Sequence, residues 1–226
     1  RVGAAGLLKK MPRYVLFDFD GTLGDTFHQG FEILNILAAE FGFRPLPPEE
    51  LEFARDLSTS ELMKHLGISR MKLHKISKRG TEEIGKRIHT VQTFPGVPEM
   101  IRHLHKAGFH LGVLTSNSES NVQVFLKDKN LELFDFIESS SKLLGKGSVL
   151  RRLMKEHRLK AKEILLIGDE LRDIEAAHDV GVHMAAVTWG YNSRAALEAA
   201  EPDYLFESPA QIVEFLDVWA PGKILK

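Results

Sequence analysis

Short apolar runs alternate with amphipathic helical patterns along most of the chain, and this alternation limits the possible folds more than any other feature. The runs lie at 13–18, 109–115, 134–139, 163–169, 183–189 and 203–206. Their apolar residues are consecutive, as in strands that are covered by helices on both faces. Strand, helix and strand in succession predict an α/β protein with a Rossmann-like, doubly wound parallel sheet.

Residues 26–93 interrupt this alternation with helical periodicity and no convincing strand. A crossover between parallel strands needs only about a dozen residues, so the excess indicates an insertion after the first strand. We therefore predict a catalytic core over 11–25 and 94–226, with an all-helical cap over 26–93. We expect residues 1–10 to be either a frayed leader or residues added to the native protein, with a native start at Met11.

The composition excludes several classes of protein. Hydrophobic residues make up 43% and charged residues 27% of the 226, which is typical of a soluble globular chain. There is no cysteine, so disulfides, thiolate metal sites and cysteine nucleophiles are excluded. The 30 basic and 31 acidic residues nearly balance, and no apolar run has the length of a membrane span. We expect a cytoplasmic protein without a nucleic-acid or membrane partner; the oligomeric state stays open.

Acidic residues follow two of the predicted strands at their carboxyl ends. Asp18 and Asp20 are two residues apart, so they share a face at the end of the first strand. Asp169 ends the fourth strand, and Asp173 lies about one helical turn later. Ligands bind in the crevice beyond these strand ends, and neighbouring carboxylates there repel each other unless a cation separates them. The pattern predicts a cation site at this edge of the sheet.

Hydroxyl groups and a lysine are expected at the same edge. Thr115 and Ser116 end the second strand where a helix begins, and helix N-termini bind phosphate. Lys146 stands between two glycines just ahead of a helical pattern, which favours it over Lys142 as the cation for phosphate.

Oxygen ligands of this kind suit Mg²⁺, which takes one or two carboxylates together with water and phosphate oxygens. We predict Asp18, Asp169 and the main-chain carbonyl of Asp20 as metal ligands. With the metal bound, an anionic nucleophile can approach a phosphoryl group, and Lys146 neutralises charge that opposes the attack.

The motifs in this order resemble those of the haloacid dehalogenase superfamily of phosphohydrolases. They are DFDGTLGDT (18–26), LTSNS (114–118), Gly-Lys-Gly (145–147) and GDELRD (168–173). Two further stretches, AAVTWGYNSRAAL (185–197) and PDYLFESPAQI (202–212), resemble phosphoglycolate phosphatase-like members of that superfamily. The resemblance extends over residues 13–216.

The resemblance implies a role for each motif residue. Asp18 would be the nucleophile that forms an aspartyl-phosphate, and Asp20 would protonate the leaving group and then activate water. Thr115 would hold the phosphoryl group, Lys146 would stabilise it, and Asp169 would complete the Mg²⁺ site. Because dehalogenases of the superfamily lack the second aspartate, the presence of Asp20 favours phosphate chemistry.

Three assignments each keep two interpretations. Asp173 either orients the ligands of the metal from a second layer or only complements the dipole of its helix. Glu170 stands where relatives commonly have serine or threonine, and it either reaches metal-bound water or faces solvent. Ser116 and Asn117 are both candidates for the contact to substrate.

The resulting hypothesis is an Mg²⁺-dependent phosphatase for a small phosphorylated metabolite, with phosphoglycolate as the named substrate. A cap that closes over the site would exclude water and read the leaving group, with Arg55, Ser58 and Thr59 as possible contacts. A basic run over 64–87 either is a solvated helix face or attracts an acidic substrate. A phosphosugar mutase and a non-catalytic phosphate-binding regulatory module are the alternatives.

Overall fold

The structure is a computed structural model that describes residues 12–140 and 145–218. Within these ranges, eight strands form two sheets. They are β1 Tyr14–Phe17, β2 Gly24–Asp25, β3 Gln92–Thr93, β4 His110–Thr115, β5 Phe136–Ser139, β6 Ile164–Gly168, β7 His183–Val187 and β8 Tyr204–Phe206. The main sheet is parallel, with strand order β5-β4-β1-β6-β7-β8. The order reverses direction at β1, which opens a crevice at its carboxyl end. The predicted fold class is confirmed.

Ten α-helices occur in the described residues. They are α1 Phe27–Phe41, α2 Leu51–Arg55, α3 Thr59–His65, α4 Arg70–Arg87, α5 Val97–Lys106, α6 Glu119–Asp128, α7 Gly145–Glu156, α8 Leu171–Val180, α9 Arg194–Ala199 and α10 Pro209–Asp217. None of them is both long and apolar enough to cross a membrane. Helices α1 to α4 lie between β2 and β3, in the interval that breaks the strand–helix alternation of the sequence.

The central strand β1 is buried on both faces, which explains why its apolar residues are consecutive. Val15 and Phe17 belong to one hydrophobic cluster, and Leu16 between them belongs to another on the opposite face. All three are at most 1% exposed. Main-chain pairing of β1 with both β4 and β6 fixes its register and places the carboxyl ends of the three strands side by side.

A two-residue ribbon lies where the chain leaves the sheet for α1 and where it returns after α4. Gly24 and Asp25 pair in antiparallel fashion with Thr93 and Gln92. The expectation of no strand over 26–93 was therefore wrong at its last two residues, because a pairing this short leaves no period in the sequence. The boundaries of the predicted cap stay a prediction.

Candidate active site

The acidic turn after β1 begins the site. Asp18 is 1% exposed, and its main-chain N–H donates to the carbonyl of Ile167 at 2.8 Å. Gly21 then turns the backbone with φ +80°, a conformation that side chains disfavour. A Cβ at Gly21 would also lie 2.2 Å from Asp169 Oδ2. This glycine thus allows the turn after β1 to approach the end of β6.

Three buried carboxylates come together from two strand ends and one helix. Asp18, Asp169 and Asp173 each offer an oxygen, and these oxygens lie within 4.8 Å of one another. Asp169 Oδ1 accepts a hydrogen bond from Thr22 Oγ1 at 2.5 Å, and its Oδ2 accepts from the main-chain N–H of Tyr191 at 2.7 Å. These bonds fix the orientation of Asp169 toward the cluster.

Lys146, in the first turn of α7, is the cation of the cluster. Its Nζ donates to Asp173 Oδ1 at 2.5 Å and lies 2.6 Å from Asp18 Oδ2. The contact with Asp18 is an ion pair without hydrogen-bond geometry, so Asp18 Oδ2 has no hydrogen-bond partner among the described residues. Helix α8 fixes Asp173 from the other side, because Asp173 Oδ2 accepts from the N–H of Glu170 at 3.2 Å.

Burial and negative charge together perturb these groups. Burial raises the pKa of Asp18 from 3.8 to about 7, although the charge of Lys146 lowers it. Burial also raises the pKa of Asp169 well above its usual value, and the charges of Glu170 and Asp18 add to this effect. For Lys146, burial lowers the pKa, but Asp173 and Asp18 outweigh it and the net shift is upward. The cluster carries more negative charge than Lys146 neutralises.

The cluster fits a hard divalent cation. Carboxylate oxygens are the ligands that Mg²⁺ prefers, and Asp18 Oδ2 accepts no hydrogen bond in the described residues, where its contact is the ion pair with Lys146. A cation at this place would also lower the pKa values of Asp18 and Asp169, which burial and the neighbouring carboxylates raise. Asp18 and Asp169 are thus in position for the metal role that the sequence predicts, and Asp173 lies beside them.

Asp20 lies outside the three-carboxylate cluster and is partly buried. The side-chain amide of Asn117 donates to both of its oxygens, at 3.2 and 3.1 Å. Burial raises the pKa of Asp20, while hydrogen bonds from Asn117 and Thr26 lower it; the net shift is upward. A carboxyl that is held by hydrogen bonds and has a raised pKa is suited to donate and accept a proton.

The end of β4 brings the predicted hydroxyl groups to the same edge. Thr115 is fully buried, and its Oγ1 accepts from the N–H of Asn117 at 2.9 Å. Ser116 is partly buried, and its Oγ accepts from Arg172 Nη2 at 3.2 Å. Asn117, the other candidate for the substrate contact, uses its side chain to hold Asp20.

Comparisons with known proteins agree with this geometry. Residues 15–187 match the family of haloacid dehalogenase-like hydrolases. The chain belongs to this family. The phosphoglycolate phosphatase of Synechococcus elongatus is 33% identical over 201 residues, which cover 88% of this chain and 95% of that protein. The phosphoglycolate phosphatase of Pasteurella multocida is 27% identical over 222 residues, which cover 89% and 96%.

Solved structures of haloacid dehalogenase-like proteins share the fold. A crystal structure described as a predicted phosphatase from Clostridium acetobutylicum has a TM-score of 0.78 at 23% identity and covers 92% of this chain and 99% of its own. CbbY from Rhodobacter sphaeroides in complex with phosphate has a TM-score of 0.70 at 21% identity and covers 89% and 96%. The predicted superfamily is confirmed, and the relatives confirm the predicted enzyme class, a phosphoric monoester hydrolase.

Two adjoining cavities in this hydrolase open between the sheet edge and helices α1 to α4. Their volumes are about 220 Å³ and about 320 Å³, and both are lined by Asp20, Ser116 and Tyr191. The lining from α1 to α4 is mainly aliphatic, with Leu34 common to both cavities. A leaving group that extends past Asp20 would enter this space.

Arg55 connects the helical insertion to the core beside these cavities. Its Nε donates to the carbonyl of Tyr191 and its Nη2 to that of Gly190, both at 3.2 Å. Ser58 caps α3, where its Oγ accepts from the N–H of Glu61 at 3.3 Å. These two residues therefore have structural partners, whereas Thr59 lines the 320 Å³ cavity.

Five of the eight basic residues in the run over 64–87 fall into two groups. Ion pairs with glutamates occupy three of its members, Arg79, Lys86 and Arg87. Arg70 and Lys78 instead line a further cavity that also includes Ser116. The hypothesis that this run attracts an acidic substrate stays a prediction for these two residues.

Sequence reasoning did not identify several residues that hold the site together. Thr22 and Tyr191 fix Asp169, and Arg172 connects Ser116 with Glu170. Arg172 had a visible signal, since it stands directly before Asp173 inside the motif GDELRD. The alternative phosphate lysine, Lys142, lies outside the described residues.

Proposed function

We propose that this hydrolase is an Mg²⁺-dependent phosphatase for a small phosphomonoester and that it acts through an aspartyl-phosphate on Asp18. One observation carries the proposal: a fully buried carboxylate, Asp18, keeps an oxygen without a hydrogen-bond partner beside Lys146 and two further carboxylates. The relatives named phosphoglycolate phosphatase support phosphoglycolate as the substrate. The cysteine-free sequence is compatible with the expected cytoplasmic location.

In the first half-reaction, a carboxylate oxygen of Asp18 attacks phosphorus and the bond from phosphorus to the leaving oxygen breaks. Asp20 gives its proton to that oxygen, which leaves as an alcohol. Its raised pKa favours the protonated form that this step needs. Asn117 keeps both oxygens of Asp20 oriented through its amide.

In the second half-reaction, water attacks phosphorus of the aspartyl-phosphate, and Asp20 accepts the proton of the water. The bond from phosphorus to Asp18 breaks, which restores the carboxylate and releases phosphate. Thr115, Ser116 and Lys146 would hold the phosphoryl oxygens in both steps.

Asp18, Asp169 and the main-chain carbonyl of Asp20 would hold Mg²⁺. When bound, the metal would supply positive charge that offsets the repulsion between the nucleophile and the phosphoryl oxygens. Asp173 keeps Lys146 in place through its 2.5 Å hydrogen bond, and its carboxylate belongs to the same cluster as Asp18 and Asp169. The aliphatic lining of the cavities would limit water around the reacting group.

The test is phosphate release from phosphoglycolate, 2-hydroxyethyl phosphate and a set of phosphosugars, with Mg²⁺ or with EDTA. Wild-type protein should release phosphate with Mg²⁺ only, and Asp18→Asn should release none because an amide is a poor nucleophile. Asp128→Asn, a surface substitution, is the matched control and should retain wild-type turnover. Turnover by Asp18→Asn would refute the covalent mechanism, and isomerised phosphosugar without free phosphate would indicate a mutase.

A further inference from the structure

Arg172 is a partly buried cation at the site whose hydrogen bonds are incomplete. Its Nη2 donates to Ser116 Oγ at 3.2 Å and pairs with the carboxylate of Glu170. Its Nε is buried and has no hydrogen-bond partner among the described residues. A buried guanidinium N–H without an acceptor costs free energy, and an acceptor from outside the chain that reached this N–H would remove the cost.

Arg172 also lies where a leaving group must pass. It lines the 320 Å³ cavity together with Asp20, and it lines a second cavity of about 650 Å³ together with Lys146. In the proposed reaction, Asp20 protonates the leaving oxygen and Lys146 holds the phosphoryl group. A substrate placed between these two residues would bring its leaving group to Arg172.

Arg55 is the other basic residue that lines the 320 Å³ cavity, and its hydrogen-bond donors already have partners. Among the described residues that line this cavity, Arg55 and Arg172 are the two basic ones. Arg55 donates from Nε and Nη2 to the carbonyls of Tyr191 and Gly190, and its Nη1 lies 3.5 Å from Glu52. Arg172 is therefore the cation of this cavity that retains a donor for a ligand.

We propose that Arg172 binds a second anionic group of the substrate, a carboxylate on the leaving group, and that Glu170 positions Arg172 for this contact. The inference rests on the proposed phosphatase function and assigns its specificity. Arginine binds carboxylates through two parallel N–H···O bonds, which gives geometric selectivity that lysine does not offer. Ser116 supports the guanidinium from the end of β4, next to Thr115.

Two substrates that differ only in one group of the leaving alcohol test the role assigned to Arg172. Phosphoglycolate carries a carboxylate where 2-hydroxyethyl phosphate carries a neutral hydroxymethyl group. For Arg172→Gln, kcat/KM for phosphoglycolate should fall about 10-fold to 100-fold, the effect of losing a hydrogen bond to a charged group. Its kcat/KM for 2-hydroxyethyl phosphate should change less than about 3-fold. Equal losses on both substrates, or no loss on either, would overturn the assignment.

Two further variants test whether the effect of Arg172→Gln is only a folding defect, and they separate the role of Arg172 from that of Glu170. Arg172→Lys keeps the charge without the planar fork and should show the same selective loss to a smaller extent. Glu170→Gln should raise KM for phosphoglycolate more than it raises KM for 2-hydroxyethyl phosphate, because Glu170 orients the guanidinium that binds the carboxylate. If Glu170→Gln instead lowered kcat on both substrates equally, its positioning role would be refuted.

A matched surface pair provides the control. Arg152 pairs with Glu138 on the surface, as Arg172 pairs with Glu170 in the site, so Arg152→Gln should leave both substrates unaffected. These measurements distinguish failure of the phosphatase proposal from failure of the proposal for Arg172. If the wild type releases phosphate from no monoester with Mg²⁺, the phosphatase proposal fails. If it hydrolyses both test substrates with equal kcat/KM, the phosphatase stands and the role of Arg172 is refuted.

Discussion

The substitution Asp18→Asn should stabilise the metal-free protein at alkaline pH while it abolishes turnover. Asp18 is buried in a cluster with two other carboxylates, and its pKa is raised from 3.8 to about 7, chiefly by burial. A raised folded-state pKa means that the folded protein holds the proton of Asp18 more tightly than the unfolded chain does. Stability is then greatest below about pH 4 and is lost as pH rises through about 7.

The size of the stability difference follows from the unfolded-state and folded-state pKa values of Asp18. A pKa that moves from 3.8 to about 7 corresponds to a loss of about 4 kcal/mol in unfolding free energy across that pH range. Asparagine resembles the protonated carboxyl in shape and charge, so the variant avoids this loss. The free energies of unfolding of the two proteins should be similar near pH 4 and should differ by about 4 kcal/mol near pH 8.

The assay is urea unfolding in EDTA over this pH range, followed by tryptophan fluorescence and circular dichroism. Asp179→Asn is the matched control, because Asp179 is exposed and pairs with Arg151 on the surface. The difference in unfolding free energy between Asp179→Asn and the wild type should not grow by several kcal/mol from pH 4 to pH 8. Addition of Mg²⁺ at pH 8 should stabilise the wild type more than it stabilises Asp18→Asn, because a bound cation relieves the same charge.

The reasoning is wrong if the difference between wild type and Asp18→Asn stays constant from pH 4 to pH 8. That result would mean that Lys146 compensates the burial of Asp18 completely and that its carboxylate is ionised in the folded protein at every pH tested. The variant would then be expected to lose stability, because Lys146 would lose one of its two buried partners.

Three further substitutions probe the surroundings of the site. Gly190→Ala would place a Cβ 2.2 Å from Asp169 Oδ2, so we expect at least a 100-fold loss of Mg²⁺-dependent turnover and a weaker apparent affinity for Mg²⁺ in a metal titration. Asn117→Ala removes two hydrogen bonds that lower the pKa of Asp20; that pKa should rise further, and the alkaline limb of the kcat profile should move to higher pH. Arg55→Ala removes two hydrogen bonds from the helical insertion to the core, and KM for small phosphomonoesters should rise about 10-fold with the melting temperature little changed. Unchanged turnover in Gly190→Ala, an unchanged alkaline limb in Asn117→Ala or an unchanged KM in Arg55→Ala would contradict the contact that the variant tests.

The sheet was predictable because its signal is local and repeated. Buried parallel strands need consecutive apolar residues, and β1, β4 and β6 show them clearly. The two-residue ribbon of Gly24–Asp25 with Gln92–Thr93 was not predictable, because its partners are far apart in sequence and too short for a period. Its geometry depends on the folded core and helices on either side.

The candidate site was predictable where chemistry and topology coincide. Asp18 and Asp169 end neighbouring parallel strands, and such ends meet at one edge of the sheet, so their proximity followed from the fold. One partner of Glu170 was not predictable from the sequence, and its reach to metal-bound water stays a prediction. Its carboxylate pairs with Arg172, two residues later, and that pairing depends on how the first turn of α8 is placed against Ser116.

The site brings residues from distant parts of the chain together at a cost in stability that the large core can sustain. Four acidic groups, Asp18, Asp169, Asp173 and Glu170, interact there with two cations, Lys146 and Arg172. Replacing these charges with apolar residues would generally stabilise a fold, so their presence indicates selection for chemistry and not for stability. Each cation already pairs with a carboxylate, Lys146 with Asp173 and Arg172 with Glu170, so a metal and an anionic substrate would bind among existing ion pairs. The excess of acidic groups thus prepares the metal-free protein for a cation, and the unfilled donor of Arg172 prepares it for an anion.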